Sequence, residues 1–361
     1  MTATRETDRA VPGLDVPALR AEVENTIDSF LTARRDMNAS PEWRDGVDAL
    51  RALALAGGKR TRPTFCCLGW RAFGGGDHPG IVTAAAALEL FHLFALVHDD
   101  IMDDSDVRRG NPTLHVTMAE AHRRLGWRGN PEHYGRNAAI LWGDLCLTWS
   151  DEAFHGCGLP PERVSAAAEL LNLMRVEVLL GQYLDIRGEA VRADLADCLT
   201  ILLYKSAKYT VERPLQIGAM LAGAARPDVE RLSRFGVPIG EAFQLRDDIL
   251  GVFGDDAVTG KSVLTDLRSG KSTVLMALAR ERADAAQAAE IARWHGNPDL
   301  GEREAQRLRH IVRETGALRT VEEMIHTRTE EAVAVLDSLP VVGEAREALA
   351  ALARTLSVRR S

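Results

Sequence analysis

The sequence lacks the patterns that predict β-structure or a transmembrane segment. Only 5% of the residues are aromatic, no stretch alternates Val, Ile or Thr with polar residues, and the longest apolar run, residues 84–97, contains Glu89 and His92. This run is too short and too polar to span a bilayer, so it predicts a buried core helix. Ala, Leu, Arg and Glu are abundant instead, and these residues favour helix. The sequence therefore predicts an all-α protein.

An excess of positive charge is also absent, because the formal net charge of the 361 residues is −8. Proteins that bind nucleic acid generally need a basic surface to displace counterions, so we expect no nucleic-acid partner. The first residues lack the charged-then-apolar form of a signal peptide. The few cysteines form no CxxC pair, which predicts reduced core residues of a cytoplasmic protein. They are Cys66, Cys67, Cys146, Cys157 and Cys198.

No linker rich in Pro, Gly or Ser divides the chain. This predicts a flexible tail at residues 1–14 and a single helical domain over residues 15–361. Apolar periodicity, with breaks at Gly and Pro, indicates helices that pack as an antiparallel bundle. Ser40 and Pro41 mark one helix start, as cap and first helical residue. The other predicted helices lie near 16–35, 80–104, 113–125, 133–157, 160–187, 192–224, 227–253, 271–296, 302–316 and 318–355.

A helical apolar stretch ends in a dense group of carboxylates and two arginines, in the sequence FHLFALVHDDIMDDSDVRRG at residues 91–110. On a helix that turns about 100° per residue, Asp99 and Asp103 stack on one face, with Asp100 beside them. Such a cluster repels itself unless cations neutralise it, and carboxylate oxygens suit Mg²⁺, which often bridges proteins to substrate phosphates. The alternative is a solvated acidic helix end. A second acidic site elsewhere in the chain would favour the metal.

A second acidic pair does occur, in FQLRDDILGVFGD at residues 243–255. Asp247 and Asp248 are adjacent on a predicted helix, Gln244 precedes them by about one turn, and Gly251 stands at the fifth position of the motif. The two acidic helices are accompanied by basic clusters, which could complete the shell of a metal-bound diphosphate. These clusters lie at residues 59–62, 108–109, 205–208 and 261–271.

The first basic cluster belongs to the sequence GGKRTRP at residues 57–63. Its two glycines permit close backbone approach, and Lys59, Arg60 and Arg62 form a compact cationic group suited to phosphate. A solvated basic turn is the alternative for this segment taken alone.

The residues resemble the trans-isoprenyl diphosphate synthase family in six motifs, which follow the family's order and approximate spacing over residues 57–273. The motifs are GGKRTRP, DDIMDDSDVRRG, GQYLD, KS within YKSAKY, FQLRDD and GDDAVTGK. The resemblance implies an all-α fold of antiparallel helices around a deep central cavity, assembled as a homodimer. It also implies two acidic helices that face each other across about three Mg²⁺ ions, which Mn²⁺ could replace.

The resemblance further implies the reaction. Diphosphate leaves an allylic substrate, the double bond of isopentenyl diphosphate attacks the allylic cation, and a proton is lost. Cations stabilise the charge that develops on the leaving group, and an apolar cavity excludes water from the allylic cation. In this family an aromatic residue five positions before the first aspartate limits chain growth, which points to Phe94, with Ala95 and Phe91 nearby. We expect geranylgeranyl diphosphate as the main product, with farnesyl diphosphate next.

Roles can be assigned by resemblance to individual residues. The implied metal ligands are Asp99, Asp100, Asp103, Asp247 and Asp248. The implied contacts to the allylic diphosphate are Arg108, Lys205 and Lys261, supported by Gln182, Asp185, Ser206 and Gln244. The implied site for isopentenyl diphosphate comprises Lys59, Arg62, His92 and Arg109. His92 lies seven residues before Asp99 and hence nearly on the same helix face. Arg359 and Arg360 resemble the family's basic C-terminal tail.

The chain departs from the family at three positions. Gly251 replaces the third aspartate of the second motif, Leu264 replaces a frequent glycine, and Ser206 replaces a common threonine but keeps the hydroxyl. We expect activity to survive, because the adjacent pair remains and Mg²⁺ accepts water in its shell.

Two other functions stay open. A class I terpene cyclase also ionises an allylic diphosphate at an aspartate-rich helix, but it holds no second diphosphate, so GGKRTRP and Arg109 would lack a purpose. A non-catalytic subunit that modulates an active synthase would tolerate Gly251 and Leu264, but the intact first motif speaks against that role.

Overall fold

The computed structural model describes residues 15–254 and 264–358. It confirms the predicted all-α class, because most of these residues are helical and the strands comprise four residues. Two compact units can be distinguished. The N-terminal unit comprises residues 15–67 and 76–164, and the C-terminal unit comprises residues 68–75 and the described residues from 165 onward. The predicted tail at 1–14 lies outside the described residues, and the assignment of residues 15–361 to a single domain stays a prediction.

The N-terminal unit contains most of the first helices. They are α1 (Val16–Arg35), α2 (Pro41–Leu55), α3 (Thr61–Ala72), α4 (Pro79–Met102), α5 (Leu114–Arg124) and α6 (Pro131–His155). Helix α3 begins in this unit, and its last residues belong to the C-terminal unit. As predicted, Ser40 caps α2, and its hydroxyl accepts a hydrogen bond from the backbone N–H of Trp43 at 3.1 Å.

Helix α4 supplies much of the core of the N-terminal unit. Leu88, Leu90 and Phe91 are fully buried, and burial of such a side chain stabilises the fold by about 1.5–3 kcal/mol. By length and composition α4 is the one helix of the described residues that could cross a membrane, with a mean hydropathy of 1.9, but 72% of that stretch is buried inside the protein. Burial of this extent is what a core helix shows, as predicted.

A short hairpin follows α4, where the sequence predicts no strand. Strands β1 (Val107–Arg108) and β2 (Asn111–Pro112) pair antiparallel, with Arg108 opposite Asn111. The turn between them holds Arg109 at φ 52° and Gly110 at φ 75°, a left-handed conformation that glycine adopts without strain. The hairpin reverses the chain direction shortly after the first acidic motif. It contains both arginines, Arg108 in β1 and Arg109 in the turn, and so fixes their positions.

The C-terminal unit contains the remaining elements, except that residues 161–164, at the start of the first of them, belong to the N-terminal unit. Its core includes Leu245, Leu275, Leu308 and Val321. The elements are α7 (Pro161–Val191), α8 (Leu195–Ile201), a π-helical segment (Leu202–Glu212), α9 (Arg213–Ala222), α10 (Arg226–Arg231), α11 (Ser233–Phe253), α12 (Thr265–Ser269), α13 (Val274–Arg282), α14 (Ala285–Trp294), α15 (Glu302–Glu314), α16 (Ala317–Val335), a 3₁₀ turn (Leu336–Ser338) and α17 (Gly343–Val358).

Several predicted helix boundaries are wrong. The predicted helix at 271–296 is broken at Ala283 and Asp284, where Asp284 forms a capping box with Gln287 and starts a new helix. The predicted helix at 318–355 is interrupted between residues 336 and 342. Helix α3 is not among the predicted helices. The break at 283–284 contains neither glycine nor proline and depends on the cap at Asp284, so periodicity alone misses it. The interruption at 336–342 contains Pro340, so the sequence does carry a signal for that break.

Candidate active site

The carboxyl end of α4 is held by an ion pair with the hairpin. Nε of Arg108 donates to Oδ1 of Asp100 at 2.6 Å, and Nη2 of Arg108 donates to Oδ2 of Asp99 at 3.2 Å. Asp100 is 1% exposed and Arg108 is 8% exposed. The three carboxylates, with Asp100 first, raise the pKa of Arg108 despite its burial. One guanidinium therefore bridges two of the three aspartates of the first motif and leaves a net negative charge.

The third aspartate, Asp103, is placed differently from the prediction. Helix α4 ends at Met102, and Asp103 is its C-terminal cap with φ −85° and ψ 1°. Its backbone N–H still donates to Asp99 O at 2.8 Å, so the two residues remain one turn apart. Asp103 is exposed and Asp99 is partly exposed. Asp99 and Asp103 are thus the accessible carboxylates of the motif, whereas Asp100 is enclosed.

His92 lies on α4, and the guanidinium groups of several arginines are close to it. Burial and then the guanidinium groups of Arg62 and Arg109 lower the pKa of His92 well below its usual range. A guanidinium N–H of Arg109 donates to the carbonyl of Gly57. A Cβ on Gly58, whose φ is 144°, would lie 3.0 Å from Nη2 of Arg109. The backbone at Gly57 and Gly58 therefore approaches Arg109 closely, as the sequence predicts for GGKRTRP.

Arg60 does not belong to this cationic group, which corrects the interpretation of GGKRTRP. Its Nη1 donates to Glu89 at 3.0 Å, its Nε to Glu24 at 3.1 Å, and its Nη2 to the carbonyl of Ala54 at 2.7 Å. The residue is 4% exposed. Because its donors are engaged inside the unit, Arg60 holds the loop in place, and it is Lys59 and Arg62 that remain as candidates for phosphate.

In the C-terminal unit, the predicted pair of Lys205 and Asp185 is brought together. Nζ of Lys205 donates to Oδ2 of Asp185, a carboxylate that is 4% exposed. Helix α7 and the π-helical segment touch at Gly181, where a Cβ would lie 2.3 Å from the backbone nitrogen of Lys205. Gly181 therefore permits the contact that sets Asp185 beside Lys205. π-Helical turns are rare and frequently mark functional sites.

Lys208, from the same basic cluster, has a structural partner. Its Nζ donates to Glu177 at 2.6 Å, and Arg213 donates to the same carboxylate at 2.7 and 2.8 Å. These hydrogen bonds lower the pKa of Glu177 although burial opposes the shift. The network fixes the π-helical segment to α7, and it leaves Lys205 as the lysine of this cluster at the site.

The second acidic pair lies on α11 in the C-terminal unit. Nε2 of Gln244 donates to Oδ1 of Asp248, one turn further along the helix, at 2.8 Å. Burial raises the pKa of Asp248 to about 7, with Asp266 and Asp247 adding to the shift and Lys271 and Gln244 opposing it. Lys271 was not predicted individually, although it ends a predicted basic cluster. A buried carboxylate with so high a pKa is short of positive charge.

Arg246, which directly precedes Asp247, holds α11 in position. Its Nη1 and Nη2 donate to Glu322 at 2.7 and 2.6 Å, and its Nε donates to the carbonyl of Ser357 at 3.0 Å. Bidentate pairing of this kind is geometrically specific. Helix α11 is thereby tied to α16 and α17, with Asp247 following directly after the tie.

The two departures near this pair have structural explanations. A Cβ on Gly251 would lie 2.1 Å from Oδ2 of Asp266, so the carboxylate of Asp266 fills the space beside the glycine. Leu264 has φ −79° and ψ −19°, which any residue adopts, so glycine is not required there. Sequence reasoning missed Asp266, whose only signal is its place between Leu264 and the glycine–lysine pair at 270–271.

Phe91 and Phe94, the predicted chain-length residues, lie together on α4. Their ring centroids are 5.3 Å apart, and Phe94 packs edge-on against His98 at 4.6 Å. Phe91 is fully buried and Phe94 is 8% exposed, whereas Ala95 is partly exposed. The two rings form a rigid aromatic cluster one to two turns before Asp99.

The remaining predicted residues divide into two sets. Lys59, Gln182, Ser206 and Asp247 are described and partly exposed. Lys261, Arg359 and Arg360 lie outside the described residues.

The donor set suits a hard divalent cation, since the accessible groups of both motifs are carboxylates. Nevertheless, within residues 15–254 and 264–358 no three His, Cys, Asp or Glu side chains are already arranged around one metal position. Arg108 occupies the first motif as countercharge, and the second motif has the raised pKa of Asp248. In either motif, a bound divalent cation would compensate carboxylate charge.

Comparison with known proteins places the chain among enzymes of one family. The sequence profile described as polyprenyl synthetase matches residues 47–314. The geranylfarnesyl diphosphate synthase of Aeropyrum pernix is 34% identical over 87% of this chain and 93% of its own length. Heptaprenyl diphosphate synthase component 2 of Geobacillus stearothermophilus is 32% identical over 96% of both chains.

A solved structure shows the same fold. The geranylgeranyl pyrophosphate synthase of Corynebacterium glutamicum, crystallised with isoprenyl diphosphate and magnesium, superposes with a TM-score of 0.92 at 37% identity, covering 96% of this chain and 100% of that one. Together with the profile match, which spans most of the described helices, this likeness decides the family. The chain belongs to the polyprenyl synthetase family and is a trans-prenyltransferase.

Proposed function

We propose that the protein condenses isopentenyl diphosphate with an allylic diphosphate, head to tail, and releases diphosphate in a Mg²⁺-dependent reaction. The observation that carries the proposal is the pair of cations Arg62 and Arg109 around the neutral His92, on the same helix as the first aspartate motif. A terpene cyclase has one diphosphate to bind, and Arg108 already serves that motif. These further cations, of which Arg109 donates a hydrogen bond to the carbonyl of Gly57 and packs beside Gly58, would give the second diphosphate a site.

Each group has a defined task in this reaction. Asp99, Asp103 and Asp247 are the carboxylates that would hold Mg²⁺, and bound Mg²⁺ supplies positive charge against the diphosphate leaving group. Asp100 orients Arg108 through their buried ion pair. Lys205, oriented by Asp185, and Arg108 bind the allylic diphosphate. Donors fixed in advance stabilise developing charge without reorganisation during the reaction.

The bond changes follow from this arrangement. The allylic C–O bond breaks, and its electron pair leaves with the diphosphate. The double bond of isopentenyl diphosphate then forms the new C–C bond, and a proton passes to the released diphosphate. The low pKa of His92 keeps its imidazole neutral at pH 7, so it acts by hydrogen bonding and the arginines provide the charge.

We propose geranylgeranyl diphosphate as the main product and farnesyl diphosphate as the next. The support is the buried pair of Phe91 and Phe94, which would stop a growing chain before it passes α4. The related enzymes are named for products of different lengths, so this proposal rests on the aromatic cluster.

We also propose a cytoplasmic homodimer. Helix α7 exposes a row of large apolar side chains at helical spacing, and an apolar row of this size on a helix commonly marks an interface. Its members are Leu173, Val176, Leu179, Leu180, Tyr183 and Ile186. Sedimentation velocity tests it: the wild type is expected as a dimer, and Val176→Glu as a monomer. Ala286→Glu adds the same charge at an exposed position of α14 and should leave the dimer intact.

One assay tests the reaction. Purified protein receives Mg²⁺, isopentenyl diphosphate and, in turn, dimethylallyl, geranyl or farnesyl diphosphate, and the products are sized by mass spectrometry. We expect prenyl diphosphates, loss of turnover with EDTA, and restoration by Mg²⁺, with Mn²⁺ as a second metal to try. Cyclised hydrocarbon without isopentenyl diphosphate would identify a cyclase. Absence of turnover by the homomer would instead favour a non-catalytic subunit.

A further inference from the structure

A pocket of about 490 Å³ lies in the C-terminal unit, where the carboxyl end of α7 meets the loop after α12 and helices α13 and α14. Sites for small molecules commonly have volumes of about 300–1,000 Å³. Arg192 and Arg280 are among the residues that line the pocket. We propose that it binds a phosphate or diphosphate group, at a position separate from the residues assigned to prenyl transfer. The proposal does not depend on the reaction proposed above.

The lining of the pocket carries an excess of positive charge. Among its described residues, Arg192 and Arg280 are accompanied by one carboxylate, Glu189. Burial, and then the charges of Arg280 and Arg192, lower the pKa of His295, so both guanidinium groups lie near this ring in the pocket wall. Within the described part of the chain, the side chain of Arg192 forms neither a hydrogen bond nor an ion pair. Guanidinium groups bind phosphate oxygens through paired, charge-assisted hydrogen bonds, so an anion would supply the missing countercharge.

The backbone at Arg192 has a conformation that an arginine rarely adopts. Arg192 directly follows α7 and has φ 57°, in the left-handed region that is uncommon for residues other than glycine. The backbone N–H of Ala193 donates to the carbonyl of Gly188 at 3.0 Å, the pattern of a Schellman motif, in which glycine usually takes the left-handed position. Residues held in such conformations cluster at ligand sites. The arginine at this turn therefore indicates a use for its side chain, and the pocket provides one.

Arg280 and Ser272 supply further donors. Nη2 of Arg280 donates to the carbonyl of Ala193 at 2.5 Å, which fixes this guanidinium beside the residue that follows Arg192. Ser272 is 7% exposed, and its Oγ lies 3.3 Å from the position that a Cβ of Gly188 would have. The glycine leaves room for this hydroxyl, which can donate to a phosphate oxygen. Three donor residues thus reach the pocket from three different segments of the unit.

The loop at residues 269–272 separates this pocket from the acidic pair on α11. Lys271, within the loop, is close enough to Asp248 to act on it electrostatically. Its neighbours Ser269, Gly270 and Ser272 line the pocket instead. A phosphate bound there would lie behind the loop that carries Lys271, away from the carboxylates proposed to hold Mg²⁺.

The test is isothermal titration calorimetry of the full-length protein with inorganic phosphate, in EDTA, so that no metal-bridged phosphate binds at the aspartate motifs. Arg192→Gln and Arg280→Gln each remove one charged donor, and we expect each to weaken phosphate binding about tenfold or more. Arg303→Gln makes the same change at an exposed position of α15 and should bind phosphate as the wild type does. Arg62→Gln, in the proposed substrate site, should also leave the affinity unchanged.

Inorganic diphosphate and methyl phosphate distinguish the source of the group. Tighter binding of diphosphate than of phosphate would support the product released in prenyl transfer as the occupant. Binding of methyl phosphate at least as tight as that of phosphate would support a phosphate ester. In either case Arg192→Gln should weaken the binding.

Any of four outcomes would overturn the proposal. They are the absence of binding by the wild type, wild-type affinity in both pocket variants, an equal loss in Arg303→Gln, and a loss in Arg62→Gln that Arg192→Gln does not show. The last result would place the phosphate in the substrate site. If Arg280→Gln does not melt cooperatively, Arg192→Gln decides, because Arg192 is exposed.

Discussion

Nε of Arg108 lies 2.6 Å from Oδ1 of Asp100, and both residues are almost completely buried. Removing one partner of a buried pair leaves the other charge uncompensated, at a cost of about 3–5 kcal/mol. Because Asp99 also contacts Arg108, we expect Asp100→Asn to lower the free energy of unfolding by about 3 kcal/mol, at the lower end of that range. Urea unfolding measures it.

Asp103 provides the matched control for this prediction. It is exposed and caps α4 through its backbone, and surface substitutions change stability by about 0.5 kcal/mol or less. Asp103→Asn should therefore lose turnover at nearly full stability. Equal stability losses in Asp100→Asn and Asp103→Asn would show that the buried pair has no special role.

Gly58 tests the site for the second diphosphate. Its φ of 144° and the 3.0 Å distance from its Cβ position to Arg109 both oppose a side chain. We expect Gly58→Ala to raise KM for isopentenyl diphosphate about tenfold, which corresponds to about 1.4 kcal/mol, with a smaller effect on KM for the allylic substrate. Steady-state kinetics with each substrate varied separates the two. Gly76→Ala, where a Cβ meets open space, should behave as wild type.

Phe94 tests the proposed limit on product length. Phe94→Ala removes a ring that packs against His98 and Phe91, and such a truncation costs about 3–5 kcal/mol of stability. The space gained should lengthen the product, as measured by mass spectrometry, and Phe94→Leu should have a smaller effect. An unchanged distribution of chain lengths in a folded Phe94→Ala variant would refute the assignment.

His295 predicts a pH dependence of stability. Burial, and then the charges of Arg280 and Arg192, lower the pKa of His295 to about 4. The unfolded imidazole binds a proton near pH 6.5 while the folded one does not, so this residue makes stability fall as the pH falls from about 6.5 toward 4. At pH 5 the loss should be about 2 kcal/mol, from 1.36 kcal/mol per pKa unit.

His295→Asn, which does not titrate, should remove that part of the pH dependence. Urea unfolding of both proteins at pH 7 and pH 5 measures the difference. The same slope in the variant and the wild type would mean that other groups cause it.

The local features of this protein could be predicted from sequence, whereas its long-range pairings could not. The cap at Ser40 and the burial of α4 depend on neighbours within a few residues, so spacing and periodicity predict them. The local sequence groups Arg60 with the phosphate-binding cations. Its actual partner, Glu89, lies 29 residues away and gives no local signal. Nothing in the local sequence distinguishes the buried Arg60 from the neighbouring Arg62, which is partly exposed.

The second motif shows the same limit. The glycine at 251 indicates that a carboxylate is missing, but the sequence does not reveal that Asp266 lies beside it. The π-helical segment at 202–212 is also unpredicted, because its side-chain pattern is close to that of an α-helix and its distinct hydrogen bonding is set by packing, as at Gly181.

The hydrogen bonds of Arg246 with Glu322 and Ser357 have a consequence for biosynthesis. The ribosome synthesises the aspartate pair of α11 well before either partner of Arg246, and domains fold as their segments emerge. In nascent chains these aspartates are therefore present before Arg246 can form both contacts, which requires α17 to have left the exit tunnel. A chain terminated between α11 and Glu322 would contain both acidic sequences, but Arg246 on α11 would lack its hydrogen bonds to Glu322 and Ser357.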